Sequence, residues 1–327
     1  MRAIALVAEP HDPAVAGPFF QALLGDGWLV DAYRKQDEVP DDVAAQAEVI
    51  LVALSPLDDT LLARCPKVRL VQVPGHGYDH VDVAAARARG VPVCTVASSG
   101  AEAHTVAEWT IIMAGAASRR LVAGHLGLRE GGWPNLEMMQ AGLFELAGKT
   151  IGIIGLGRIG REVAKRARAF DMTLVYHDAI RPSAADEEAL GVSYRELDEL
   201  LAEADVVTVH VPAGAKTRAL IGERELGLMK NTAVLVNTSR GTVIDQTALV
   251  VALREGTIRA AAIDVYDPEP PSPGDPLLAL PNVTLSPHLA GVTAESLMRI
   301  LNAAAANCDR LRNGEALHDV IEEGVQH

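Results

Sequence analysis

At 327 residues the chain is long for a single hydrophobic core and suits two domains, taking ~150 residues per domain as a guide. Hydrophobic residues at 49% and charged residues at 22% are globular proportions that argue against a disordered chain or a membrane protein, and a net charge of -14 argues against general attraction to nucleic acid or anionic membrane. Cys65, Cys94 and Cys308 are widely spaced among apolar neighbours with no CxxC pair, and the N-terminal apolar run is too short for a signal peptide; the expectation is a cytoplasmic enzyme with buried free thiols and no metal site.

Ala3 to Ala8 reads as a first buried strand, followed by the loop Glu9-Pro10-His11-Asp12-Pro13 and a helix over Ala14 to Leu24. Strand-like runs come next at Trp28 to Tyr33, Val49 to Ala53 and Val68 to Val73, with a short helix over Asp58 to Arg64. Such alternation at short loop lengths predicts a parallel sheet covered on both faces. The segment Pro74-Gly75-His76-Gly77-Tyr78-Asp79-His80-Val81-Asp82 then falls at the carboxyl end of a strand, where open α/β sheets place their ligands. Gly75 and Gly77 would leave backbone N–H groups free for an anion; an ordinary turn with Asp82 capping a helix is the alternative reading. Ala101 to Leu121 predicts a long helix, opened by Glu102 and Glu108 and apolar nearly all round, which fits burial and a subunit interface. Gly124 to Gly142 reads as irregular, broken at Gly131-Gly132-Trp133-Pro134.

Ile151, Ile153 and Ile154 read as a short buried strand, Gly155-Leu156-Gly157-Arg158-Ile159-Gly160 as a sharp turn, and Glu162 to Arg168 as a helix. Strand, glycine turn and helix in that order are the context a dinucleotide fingerprint requires: one glycine turns the chain, the next admits a pyrophosphate, the third lets helix and strand pack closely. A second strand, Thr173 to His177, runs into Asp178, which lies 23 positions after Gly155 and is placed to accept the ribose hydroxyls of an adenosine. The alternation continues with a helix over Leu197 to Ala202, strands at Val206 to Val211 and Ala233 to Asn237, a helix over Gln246 to Glu255, strands at Ala260 to Val265 and Val283 to Leu285, and a closing helix over Thr293 to Leu311. His210, Asn237 and Asp264 end three of these strands. The proline-rich stretch Tyr266 to Pro281 predicts an ordered loop without helix, and the acidic tail Glu322 to His327 a frayed end.

Arg240, Glu269 and His288 each sit in a loop that follows a strand of the second sheet. Moving a hydride between nicotinamide and a 2-oxo acid needs a rigid cation for the carboxylate and a proton donor for the carbonyl oxygen, and arginine and histidine supply those groups. Spacing alone leaves open a surface arginine, a capping acid and a satisfied loop histidine.

Read as an ordered set, these motifs resemble the D-isomer-specific 2-hydroxyacid dehydrogenase family over nearly the whole chain. They are Gly75-His76-Gly77-Tyr78-Asp79-His80-Val81-Asp82, Thr105-Val106-Ala107-Glu108, Leu146 to Thr150 leading into Gly155 to Gly160, the arginine segment, Asp264 to Pro270 and Ser286-Pro287-His288. The resemblance is to the phosphoglycerate dehydrogenase-like kind, with no room for the regulatory domain that some of those enzymes add. It implies an α/β fold of two Rossmann-like doubly wound parallel-sheet domains. A cofactor domain at 100–288 would be inserted into a flavodoxin-like substrate domain formed by 1–99 and 289–327, and the protein would be a homodimer through the cofactor domain. Arg240 would bind the substrate carboxylate together with the loop of Gly75, His76 and Gly77, His288 would act as general acid or base, and Glu269 would pair with it. The cofactor, NAD in preference to NADP, would meet Thr105, Gly155, Gly157, Arg158, Ile159, Gly160, Asp178, His210, Pro212, Thr238, Asp264 and His288. The substrate would be a small anionic 2-oxo or D-2-hydroxy acid. Relatives that oxidise formate or phosphite on the same scaffold, and the dinucleotide-sensing C-terminal-binding corepressors, are the rival readings. Two departures stand out: Pro212-Ala213-Gly214 replaces a common Pro-Leu-Thr, and His76 fills a slot that is usually small or apolar.

Overall fold

The computed structural model describes residues 1–9 and 11–321, so Pro10 and the tail Glu322 to His327 lie outside the described residues. The chain divides into two compact units, one made of Met1–Ala101 and the segment from Ala294 onward, the other of Glu102–Thr293.

In the first unit β1 (Arg2–Val7), β2 (Leu29–Tyr33), β3 (Val49–Ala53), β4 (Leu70–Gln72) and β5 (Val93–Cys94) form an all-parallel sheet in the order β2-β1-β3-β4-β5. Ala3 is in register with both Val30 and Val49, which makes β1 a central strand. Side chains alternate across the sheet. Ile4 and Leu6 pack with Ile50, Val52 and Leu61 on one face, and Ala3 and Ala5 pack with Phe20, Trp28, Leu70, Cys308 and Leu311 on the other. The small alanines thus receive the closing helix, Ala294–Asn313. All three cysteines are buried and free. Burial pushes the Cys65 thiol up to about 11 and those of Cys94 and Cys308 to about 12, which suppresses the reactive thiolate.

In the second unit β6 (Thr150–Ile154), β7 (Thr173–His177), β8 (Val192–Tyr194), β9 (Val206–Val209), β10 (Val234–Asn237), β11 (Ala260–Ile263) and β12 (Val283–Leu285) form a parallel sheet in the order β12-β11-β10-β9-β6-β7-β8. The strand order reverses beside β6, the point at which doubly wound sheets open a crevice. On one face Ile151 and Ile153 pack against the helices Ala103–Ser118 and Arg158–Ala169; on the other Ile154 packs against Leu200 and Leu201 of the helix Leu197–Glu203. No helix among the described residues is long and apolar enough to cross a membrane.

Several local expectations need correction. The long helix stops at Ser118, because Arg120 takes a left-handed φ of 48° and a new helix, Leu121–Arg129, begins after it. Of the two acids expected at the start of the long helix, Glu102 is its N-cap residue, whereas Glu108 lies past the first turn and pairs with Arg166 at 2.9 Å. The stretch expected to be irregular holds that second helix and a third, Asn135–Gln140. Gly124 and Gly127 serve close packing: a Cβ on Gly127 would lie 2.8 Å from the Pro134 ring. A 3-10 turn, Pro276–Ala279, interrupts the proline-rich loop, with the Asp275 carboxylate accepting from the Leu277 N–H at 2.9 Å. Strands β5 and β8, of two and three residues, were too short to show a period.

Candidate active site

The carboxyl edge of the second sheet gathers the fingerprint residues. Gly155 has φ 93°, and a Cβ on Gly160 would fall 2.1 Å from the Gly155 carbonyl oxygen, so both must lack a side chain. Gly157 faces open space and caps the helix Arg158–Ala169, whose first-turn N–H groups have no partner within the helix. The neighbouring strands flank this turn: the Gly155 N–H donates to His177 O at 2.8 Å and the His210 N–H to Ile154 O at 2.7 Å. The Asp178 carboxylate accepts from the Leu156 N–H at 2.6 Å and the Ile180 N–H at 2.9 Å, and its remaining lone pairs stay available to a diol.

His210 departs most from ordinary satisfaction. Part of the residue reaches the surface, yet both ring nitrogens are covered and neither has a hydrogen-bond partner among the described residues. Burial pushes its pKa down to about 3, so the ring is neutral and offers one donor and one acceptor to a polar ligand. An orphaned imidazole beside a side-chain-free turn fits a dinucleotide. Pro212 opens the next loop, where the Thr217 hydroxyl donates to its carbonyl oxygen at 2.6 Å. Thr105 is buried in the first turn of the helix Ala103–Ser118, and the buried Thr238 hydroxyl shares a hydrogen bond with Thr110 at 2.9 Å.

The loops after β10, β11 and β12 carry the three chemical residues. Asn237 shapes the first: its side-chain oxygen accepts from the Ser239 N–H at 3.0 Å, and its amide donates to Arg240 O at 2.9 Å. This Asx turn sets the half-buried Arg240, whose Nη1 donates to Ser239 O at 2.7 Å. Asn237 thus shapes the arginine loop as well as ending β10, a role that the Asn-x-Ser spacing signals. Asp264 is fully buried and accepts from the N–H groups of Leu289 at 2.9 Å and Ala290 at 3.0 Å, while its carbonyl accepts from the His288 N–H at 2.8 Å. These bonds hold His288 at φ 54°, a left-handed conformation that costs roughly 1–3 kcal/mol in a residue with a side chain. So held, the His288 Nδ1 lies 2.9 Å from Glu269 Oε2. With Nδ1 engaged by the carboxylate, Nε2 is the nitrogen left for a ligand.

The structure therefore brings His288 and Glu269 into contact and sets Arg240 in a loop of the same sheet edge. Gly75, His76 and Gly77 lie in the first unit, half-buried in the loop after β4, with Gly75 O accepting from the Val96 N–H at 3.2 Å. A cavity of about 440 Å³ lined by Ser118, Arg119, Phe144, Leu146, Phe170 and Asp171 sits at the amino edge of the second sheet and holds none of these residues.

The model of the D-isomer specific 2-hydroxyacid dehydrogenase NAD binding domain matches residues 111–290. The chain belongs to the D-isomer specific 2-hydroxyacid dehydrogenase family. This dehydrogenase is an oxidoreductase of CH-OH donors with an NAD(P)-binding domain. It is 41% identical over 313 residues to a glyoxylate reductase of Aeropyrum pernix, covering 93% of this chain and 92% of that one. Its fold superposes on D-lactate dehydrogenase from Aquifex aeolicus, complexed with NAD and lactic acid, with a TM-score of 0.83, 29% identity and coverage of 96% of each chain. The NAD-dependent formate dehydrogenase from Staphylococcus aureus, in complex with NAD, gives a TM-score of 0.85 at 28% identity, covering 98% of this chain and 99% of that one.

Proposed function

We propose that this dehydrogenase reduces a small 2-oxo acid, glyoxylate foremost, with NADH. The His288–Glu269 contact carries this reading, because a 2-oxo acid needs a proton for its carbonyl oxygen and formate does not. The likeness to a glyoxylate reductase along nearly the full chain supports the small substrate.

In this reading Arg240 binds the substrate carboxylate through its planar fork, and the backbone N–H groups of Gly75 and Gly77 add donors. His288 gives the proton on Nε2 to the carbonyl oxygen as it becomes a hydroxyl, and Glu269 orients the ring through Nδ1. The reduced nicotinamide, when bound, supplies the two electrons and the hydrogen for the carbonyl carbon. Gly155, Gly157, Arg158, Ile159 and Gly160 would hold the pyrophosphate, Asp178 the adenosine ribose, His210 and Pro212 the side of the crevice, and Thr105, Thr238 and Asp264 the nicotinamide end. Asp178 disfavours a 2′-phosphate, which supports NAD over NADP.

The working form in this reading is a cytoplasmic homodimer joined through the second unit. Leu121, Leu126, Trp133, Leu136 and Met139 leave large apolar side chains exposed after the long helix, Trp133 at 80%, and a second copy would cover them. NADH consumption against glyoxylate, hydroxypyruvate, pyruvate and bulkier 2-oxo acids, with formate and phosphite assayed in the oxidative direction, tests the function. Glyoxylate is expected to give the highest kcat/KM; turnover of formate or phosphite with none of the 2-oxo acids would overturn the reading.

A further inference from the structure

Arg181 lies three residues beyond Asp178, in the stretch where an arginine of a dinucleotide domain accommodates a 2′-phosphate. Its guanidinium is committed elsewhere. Nε donates to Glu187 Oε1 at 2.7 Å and Nη2 to Glu187 Oε2 at 3.1 Å, the bidentate geometry that makes arginine–carboxylate pairs specific. The guanidinium carbon also stands 5.0 Å over the Tyr194 ring, a cation–π contact.

Glu187 is the fixed partner of the two. Its side chain is 15% exposed against 60% for Arg181. It sits in the helix Ala184–Leu190, where its N–H donates to Ser183 O at 3.0 Å and the Ser183 hydroxyl caps the Asp186 N–H. From β7 the fully buried Tyr176 directs its hydroxyl onto Glu187 Oε1 at 2.5 Å. The arginine and the tyrosine hydroxyl together hold the Glu187 carboxyl down at about 2, so it is ionised at neutral pH. A buried tyrosine thus places a carboxylate, and the carboxylate draws in the one arginine that follows Asp178 in the same loop.

We infer that Glu187 is a specificity-determining residue for the dinucleotide: by holding Arg181 against Tyr194 it withholds a cation from the 2′ position of the adenosine ribose and strengthens the preference for NADH over NADPH. The inference rests on the reading of Asp178 as the ribose residue. Two negative groups and one neutralised arginine around that end disfavour a further phosphate. Releasing the arginine while removing one of the carboxylates reverses that balance in part, with Asp178 still in place.

The test is the dissociation constant of NADH and of NADPH, read by quenching of tryptophan fluorescence in the intact protein, for wild type, Glu187→Gln, and Glu187→Gln combined with Arg181→Ala. Glutamine keeps an acceptor for the Tyr176 hydroxyl, so the helix retains its anchor. Glu187→Gln is expected to tighten NADPH by about fivefold, the upper end of one exposed charge contact, while NADH changes by less than about twofold. Adding Arg181→Ala is expected to abolish that gain. An unchanged NADPH constant in Glu187→Gln, or a gain that survives loss of Arg181, overturns the inference while the NAD preference itself stands. Wild-type protein that binds NADPH as tightly as NADH would instead overturn the reading on which it rests.

Discussion

The Asn307 side-chain amide donates to Gln72 Oε1 at 2.9 Å, joining the closing helix to β4 across 235 positions of sequence. Both side chains are buried, and neither wastes a polar group. Gln72 Nε2 reaches the carbonyls of Val73 and Thr95 at 3.0 and 3.1 Å, and Asn307 Oδ1 accepts from the His318 N–H at 2.9 Å while its amide donates to His318 O at 2.9 Å. The network ties four segments of the first unit together, β4, the stretch after β5, the closing helix and the chain at His318, just before the Gly75 loop.

Asn307→Leu is therefore expected to destabilise the protein by about 2–4 kcal/mol, since it strands Gln72 Oε1 and both backbone groups of His318 without partners. Urea denaturation measures it; an unchanged midpoint would show that the network is energetically idle.

His288→Ala is expected to lower kcat for glyoxylate by on the order of a hundred- to ten-thousandfold while NADH still binds, because in the proposed reading the ring's proton is needed only as the carbonyl becomes an alcohol. Glu269→Gln is expected to lower kcat as well, since an amide can present either an acceptor or a donor to Nδ1 and no longer fixes Nε2 as the nitrogen that carries the proton. Steady-state kinetics with fluorescence titration of NADH separates turnover from binding, and near wild-type turnover in His288→Ala would refute the assignment.

His210 predicts an acid sensitivity. Its pKa in the folded chain, about 3, lies below the ordinary value of 6.5, so between those values the unfolded chain binds the extra proton. The stability it contributes is present above pH 6.5 and is lost as pH falls toward about 3. In the absence of dinucleotide, His210→Gln should lose less stability than wild type across that window, as thermal denaturation at stepped pH would read. Parallel curves for the two proteins would sink the idea.

His76 should discriminate among substrates. In the proposed reading the imidazole between two glycines fills space beside the substrate and hydrogen-bonds a polar group beyond the reacting carbon. His76→Ala is expected to raise kcat/KM for pyruvate relative to hydroxypyruvate, by about tenfold if one hydrogen bond of ~1–2 kcal/mol is lost. A ratio that does not move would assign His76 to the loop alone.

The longer strands in chain order, the glycine turn and the placement of Asp178, Arg240, Glu269 and His288 after strands are legible in the sequence, because each rests on local rules: apolar runs bury as strands, Gly155 and Gly160 leave no room for a side chain, and loops follow strand ends. What only the tertiary structure decided is pairwise. Glu269 and His288 are 19 positions apart in separate loops, and their contact depends on the buried Asp264 turning the backbone at His288. The glycines at 124 and 127 look like helix breakers until Pro134 and Met138 are seen packed against them. The pairing of Arg181 with Glu187 and that of Asn307 with Gln72 likewise come from contacts that no local pattern encodes. Local sequence specifies dihedral preference and burial period, whereas the partner of a polar side chain is set by chain segments that meet only once the sheet has formed.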